Sequence, residues 1–87
     1  METKIILLTT NQIIISQITE VPAAIPGEPD CKLTNPFKLN KQSNDEYTLE
    51  TWIDFTNQNE IMIHSDSILT LVDPTSDLLK KYIDLIK

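Results

Sequence analysis

His64 is the only histidine in the chain and sits in the run Ile63-His64-Ser65-Asp66-Ser67. An imidazole there can stack on a nucleobase or contact a phosphate, and with Asp66 it could contribute to a metal site. The competing reading is a solvated turn residue. Ser65 adjoins it, but sequence neighbours rarely supply the geometry that puts a hydroxyl on a ring nitrogen. Glu50 and Asp54 flank Trp52 at alternate positions, and paired carboxylates can do acid–base work. On a strand the same spacing gives a solvated face. Trp52 reads either as a base-stacking platform or as packing in a core or subunit interface. Lys32 and Lys38, with Thr34 between, read either as a weak basic strip or as a solvated face. Cys31 is the sole cysteine, so an intrachain disulfide and a cysteine-based zinc site are both excluded. Its alternation with Leu33 predicts a buried, reduced thiol. There is no glycine-rich phosphate loop. The residues predict a protein that is not an enzyme and has no catalytic set, cofactor or metal.

Charge restricts the ligand classes further. The net charge is −6, and all seven basic residues are lysines. Phosphate neutralisation needs clustered cations, and the bidentate guanidinium fork is missing altogether. Tight nucleic-acid binding by charge is thereby disfavoured, while a local site stays open. No positive run suggests an anionic membrane surface. No apolar run approaches the ~18 residues of a membrane span, and no secretory pattern precedes the first strand. These features predict a cytoplasmic protein.

The chain has 87 residues, enough for one domain spanning 1–87. A domain of this size buries only roughly 60–65% of its unfolded surface, so self-association is a natural source of further burial. Ile5 to Leu8 and Ile13 to Ile18 read as strands joined by a turn at Asn11-Gln12. Both are apolar on two faces, which predicts a core on one side and a partner on the other. Pro22 to Asp30 holds three prolines and the only glycine, Gly27, and reads as a loop. Cys31 to Leu39 alternates, with Cys31, Leu33, Asn35, Phe37 and Leu39 on one face, and Pro36 marks an edge, bulge or bend. Tyr47 to Phe55 alternates again, Asn57-Gln58-Asn59 breaks the pattern, and Ile61 to Ile63 and Ile68 to Val72 complete the strands. With one glycine, the turns at Thr10-Asn11-Gln12, Ser43-Asn44-Asp45, Thr56 to Asn59 and Ser65-Asp66-Ser67 must use Asn, Asp and Ser. Asp73-Pro74 predicts a helix over about 74–86, with Asp73 as cap and Pro74 in the first position. Leu78, Leu79, Tyr82, Ile83 and Ile86 recur on one helical face, which must dock on the sheet.

The stretch Leu8 to Ile18 resembles the first Sm motif. Asn11 stands at the turn glycine, Ser16 at the second glycine and Ile18 at the apolar position after it. Ile63 to Ile68 resembles the second motif, with His64 in the place of its Arg and Ser65 in the place of its Gly. The chain is also similar to small Sm-like proteins carried by marine cyanophages, through Asn35-Pro36, Trp52, Asp73-Pro74 and Tyr82. The resemblance implies a mostly-β, strongly bent, five-stranded antiparallel barrel with a short C-terminal helix. That helix would cover part of the barrel in place of the family's N-terminal one. The resemblance also implies a homomeric ring of five to seven subunits that binds single-stranded RNA or DNA, with a role in phage RNA or DNA processing in the infected cell. His64 would line the central opening, and His64, Ser65, Lys32, Lys38 and Trp52 are the candidate contacts. The family's acidic and Asn residues between the second and third strands have no counterpart here. An acidic scaffold that holds another protein is the alternative, favoured by the charge.

Overall fold

The computed structural model describes residues 2–43 and 46–87. The expected turn through Asn44 and Asp45 lies outside them. Among the described residues the chain forms β1 (Glu2–Leu8), β2 (Ile13–Glu20), β3 (Cys31–Lys41), β4 (Tyr47–Thr51), β5 (Glu60–Ile63) and β6 (Ile68–Val72). A single 3₁₀ turn, Ser65–Ser67, joins β5 to β6, and one helix, α1 (Ser76–Ile86), follows. The protein is mostly β, as the alternation and β-branched content predict. No helix among the described residues is long and apolar enough to cross a membrane.

All strand pairs are antiparallel, and the sheet runs β4-β3-β2-β1-β6, with β5 on the same side of β3 as β4. The first strand is therefore interior. Its turn into β2 uses Asn11 at φ 69°, where Asn costs less than most residues with a Cβ. Leu8 N donates to Gln12 O at 2.9 Å and Asn11 N donates to Leu8 O at 2.9 Å, closing the hairpin.

Six strands form where the resemblance implies five, and among the described residues the sheet is bent without closing into a barrel. The strand predicted to run through Phe55 ends at Thr51. The reason lies opposite it: Trp52 N donates to Pro36 O at 3.3 Å, and Pro36 has no N–H to return the bond. The ladder stops, and Ile53 and Phe55 turn outward into solvent.

Pro36 also marks a bulge that corrects the expected face of β3. Ile15 pairs with Phe37 and Gln17 with Thr34, so Ser16 faces two residues, Asn35 and Pro36. Asn35 takes φ 54°. The extra residue reverses the alternation. Leu33 pairs with Ile18 on the face of Ile14, while Phe37 pairs with Ile15 on the opposite face. Cys31 and Leu33 thus do not share a face with Phe37 and Leu39.

Two buried layers result. On one face Ile6, Leu8, Ile14 and Leu33 form the core, joined by half-buried Ile18, Trp52, Ile63 and Ile68. Burying each large aliphatic side chain there stabilises the fold by about 1.5–3 kcal/mol. On the other face Ile15 is fully buried, and its register partner Phe37 meets Tyr82 of α1 edge-on, with ring centroids 6.0 Å apart. The helix therefore covers the middle of the second apolar face, where a partner was expected. Ile13 and Val72 at its margin stay exposed.

The start of α1 also differs from expectation. Thr75 is the cap, its hydroxyl accepting from Leu78 N at 3.3 Å. Pro74 lies outside the helix, and Asp73 instead pairs with Lys4 across the sheet end. Lys81 lies over the Tyr47 ring, 4.7 Å from its centroid, and ties the helix to β4.

Candidate functional site

The sequence-predicted site residues fall in three places. His64 and Ser65 stand at the junction of β5 and the 3₁₀ turn, and both are already engaged by the proline-rich loop. His64 Nε2 donates to Gly27 O at 2.7 Å. Ser65 donates to Asp30 twice, from its backbone N and from Oγ, each at 2.7 Å. These bonds hold the Asp30 carboxyl below its usual range, through the Ser65 hydroxyl first and its amide second, with a smaller favourable field from His64. Ser67 Oγ donates to His64 O and closes the turn on itself. The loop from Pro22 to Asp30 thus sits clamped on the turn that carries the only histidine.

The two lysines do not form a strip. Lys32 pairs in register with Thr19, on the face of Gln17 and Ile15, whereas Lys38 pairs with Ile14 on the core face. The bulge between them puts their side chains on opposite sides of the sheet. Lys32 is further neutralised by Glu60 on β5, at 3.1 Å. Lys38 makes no ion pair among the described residues, and it stands opposite Glu50 of β4. An isolated cation next to a carboxylate is a poor phosphate grip.

Trp52 is half-buried against the core and lines a cavity of about 310 Å³ between the bulge and the segment Thr51 to Asn59. Asn35 and Phe55 line it too. Phe55 is fully exposed and takes φ 74°, a conformation that costs a bulky residue on the order of 1–3 kcal/mol. A second, more apolar cavity of about 550 Å³ lies between the ends of β1, β2 and β6, lined by Ile18, Cys31, Ser65, Ile68 and Leu71. Trp52 and Ser65 therefore belong to different cavities.

Cys31 is buried, and desolvation, with Asp30 and Glu20 nearby, pushes its thiol up, away from the reactive thiolate. Among the described residues no three His, Cys, Asp or Glu side chains group to hold a metal ion.

The feature sequence reasoning missed is the support of the bulge. Tyr82 Oη accepts from Gln17 N at 3.2 Å and donates toward Asn35 O at 2.9 Å, with Thr34 O at 3.2 Å. Ser16 Oγ donates to Thr34 O at 3.0 Å from the other side. The backbone groups that the bulge removes from the ladder are thus satisfied by one phenol and one hydroxyl. Tyr82 is fully buried, and burial pushes its phenol up, so it stays a donor. The signals present were Pro36 inside a strand and a Tyr on the apolar face of the helix. Neither says which backbone atom the other will meet.

No curated protein matches the chain in sequence. A family model does match, over residues 1–87, and its description is that of a family of unknown function, DUF6561. The match covers the whole length, including the bulge, the clamped loop and the docking helix, and the chain accordingly belongs to DUF6561.

Proposed function

We propose that this chain is a non-enzymatic, Sm-like protomer that closes a homomeric ring of five to seven subunits by pairing strands between neighbours. One observation carries the reading. Among the described residues both ends of the sheet are unpaired: β6 on one side, β4 and β5 on the other. The free edge of β6 is apolar and open, with Leu69 59%, Leu71 44% and Val72 52% exposed, and Met62 on β5 is 45% exposed. Unpaired apolar edges are aggregation templates unless something pairs them, and a heterologous contact between the two ends closes into a ring when its rotation permits. The left-handed Asn11, at the place of the motif's turn glycine, supports the resemblance.

Single-stranded RNA or DNA is the ligand the resemblance suggests, in a phage protein acting in the cytoplasm of its host. Binding would rest on short contacts repeated around the ring. A second reading, an acidic scaffold for another protein, is favoured by a specific observation: His64, Ser65 and Lys32 are all engaged within the chain. Native mass spectrometry of the purified chain with short single-stranded RNA and DNA separates these readings. A closed oligomer carrying an oligonucleotide is the expected result. A closed oligomer that stays bare moves the assignment to the scaffold, and a monomer overturns the ring. His64→Ala weakens oligonucleotide binding on the first reading and leaves it unchanged on the second.

A further inference from the structure

The cavity beside Trp52 has a chemistry that none of the other candidate residues shares. Its polar lining is made largely of neutral side chains, with Asn35, Asn57 and Asn59 contributing carboxamides. Among the described residues, none of these three amide groups has a hydrogen-bond partner; only the backbone of Asn35 and Asn59 is engaged, Asn35 N donating to Asn59 O at 2.7 Å. Each carboxamide offers two donors and an acceptor. The aromatic residues of the lining are Phe37, Trp52 and Phe55, and Phe55 is fully exposed, so its ring is free to meet a ligand from the solvent side. Among the described residues Asp54 is the one charged residue in the lining, and no cationic side chain lines it.

A ligand that complements this lining is flat, carries donors and acceptors on its rim, and places no anion inside. Asp54 and the missing cationic side chain exclude a phosphate. At about 310 Å³ the space lies at the small end of ligand sites, enough for one ring system and not for a stack. A nucleobase has these properties: every base offers a π face for an aromatic side chain and an edge of paired donors and acceptors. We propose that this cavity takes a single unstacked nucleobase, held on its face by Phe55 and read at its edge by Asn57 and Asn59, with its phosphates directed outward. The proposal rests on the single-stranded nucleic-acid reading above. It explains how a chain of net charge −6 could hold such a strand, since recognition here needs no basic surface.

Trp52 is the only tryptophan and lines the cavity, so its fluorescence reports occupancy. The full chain is titrated with free nucleosides, which carry no phosphate. A saturable change with at least one nucleoside is expected, insensitive to salt. Phe55→Ala and Asn57→Ala should each weaken it roughly tenfold, with unaltered circular dichroism. No saturable change with any nucleoside overturns the proposal, as does unchanged affinity in both variants. An equal response to a neutral disaccharide overturns it as well and reassigns the cavity to sugars. The two readings fail separately. If the ring carries oligonucleotides while Phe55→Ala binds them as tightly as the parent, the cavity is wrong and the nucleic-acid reading stands. If neither oligonucleotides nor nucleosides bind, both fall.

Discussion

At the scale of single residues, the most consequential side chain is Tyr82. Its hydroxyl serves three backbone groups around the bulge: Gln17 N, Thr34 O and Asn35 O. Tyr82→Phe keeps the ring and its edge contact with Phe37 but leaves those groups short of a partner. The expected loss is about 1–3 kcal/mol, seen as a fall in melting temperature of about 5–15 °C. A change below about 2 °C would show that water replaces the hydroxyl at no cost. Asp30 gives a pH prediction. Its carboxyl titrates below the usual range because folding supplies two donors from Ser65. The clamp is therefore fully formed above the unfolded carboxylate value, about pH 3.9, and is lost as pH falls through the lower folded value. In an NMR titration the Ser65 amide should hold its position down to about pH 4 and move only below it, and Asp30→Asn should remove that transition. Neither role was legible in the sequence, because each joins residues 35 or more positions apart. Nothing in Pro29-Asp30, or in the spacing of the apolar residues around Tyr82, marks the distant partner. What the sequence did carry was the tolerance of Asn for left-handed backbone, which appears at Asn11 and Asn35.

At the scale of elements, alternation located nearly every strand, and helical spacing located α1. It failed where a strand gained a residue. Counting by two along Cys31 to Leu39 assumes an unbroken pleat, and the bulge at Asn35-Pro36 inverts the count, which is why the lysine strip dissolved. Pro36 signals a bulge, a bend or an edge without choosing among them. The helix start was misplaced by the same kind of local ambiguity. Asp73-Pro74 and Thr75 both have capping chemistry, and Lys4 captures Asp73 from another strand. Thr75→Ala should therefore cost about 1 kcal/mol in urea unfolding. Asp73→Asn should cost less, since it breaks only an ion pair whose Asp is exposed. Equal losses would return the cap to Asp73.

At the scale of the whole molecule, both open edges and the exposed apolar positions on them invite a second copy. Leu69→Lys and Met62→Lys place charges on the two edges without touching the buried layers. Analytical ultracentrifugation should show each variant shifted toward monomer, with circular dichroism unchanged. An unchanged sedimentation coefficient in the double variant would count against assembly through these edges.

The interior position of β1 has a kinetic consequence. Its outer edge is filled only by β6, whose register joins Ile5 to Val72. That pairing closes a long loop, and contacts so distant in sequence form late and fold slowly. Until it forms, β1 presents a bare edge of the shape β6 fits, and any copy's β6 can fill it. Refolding at high concentration should then yield strand-exchanged dimers, with the 3₁₀ turn at Ser65–Ser67 as the hinge, while dilute refolding returns the chain to its own β6.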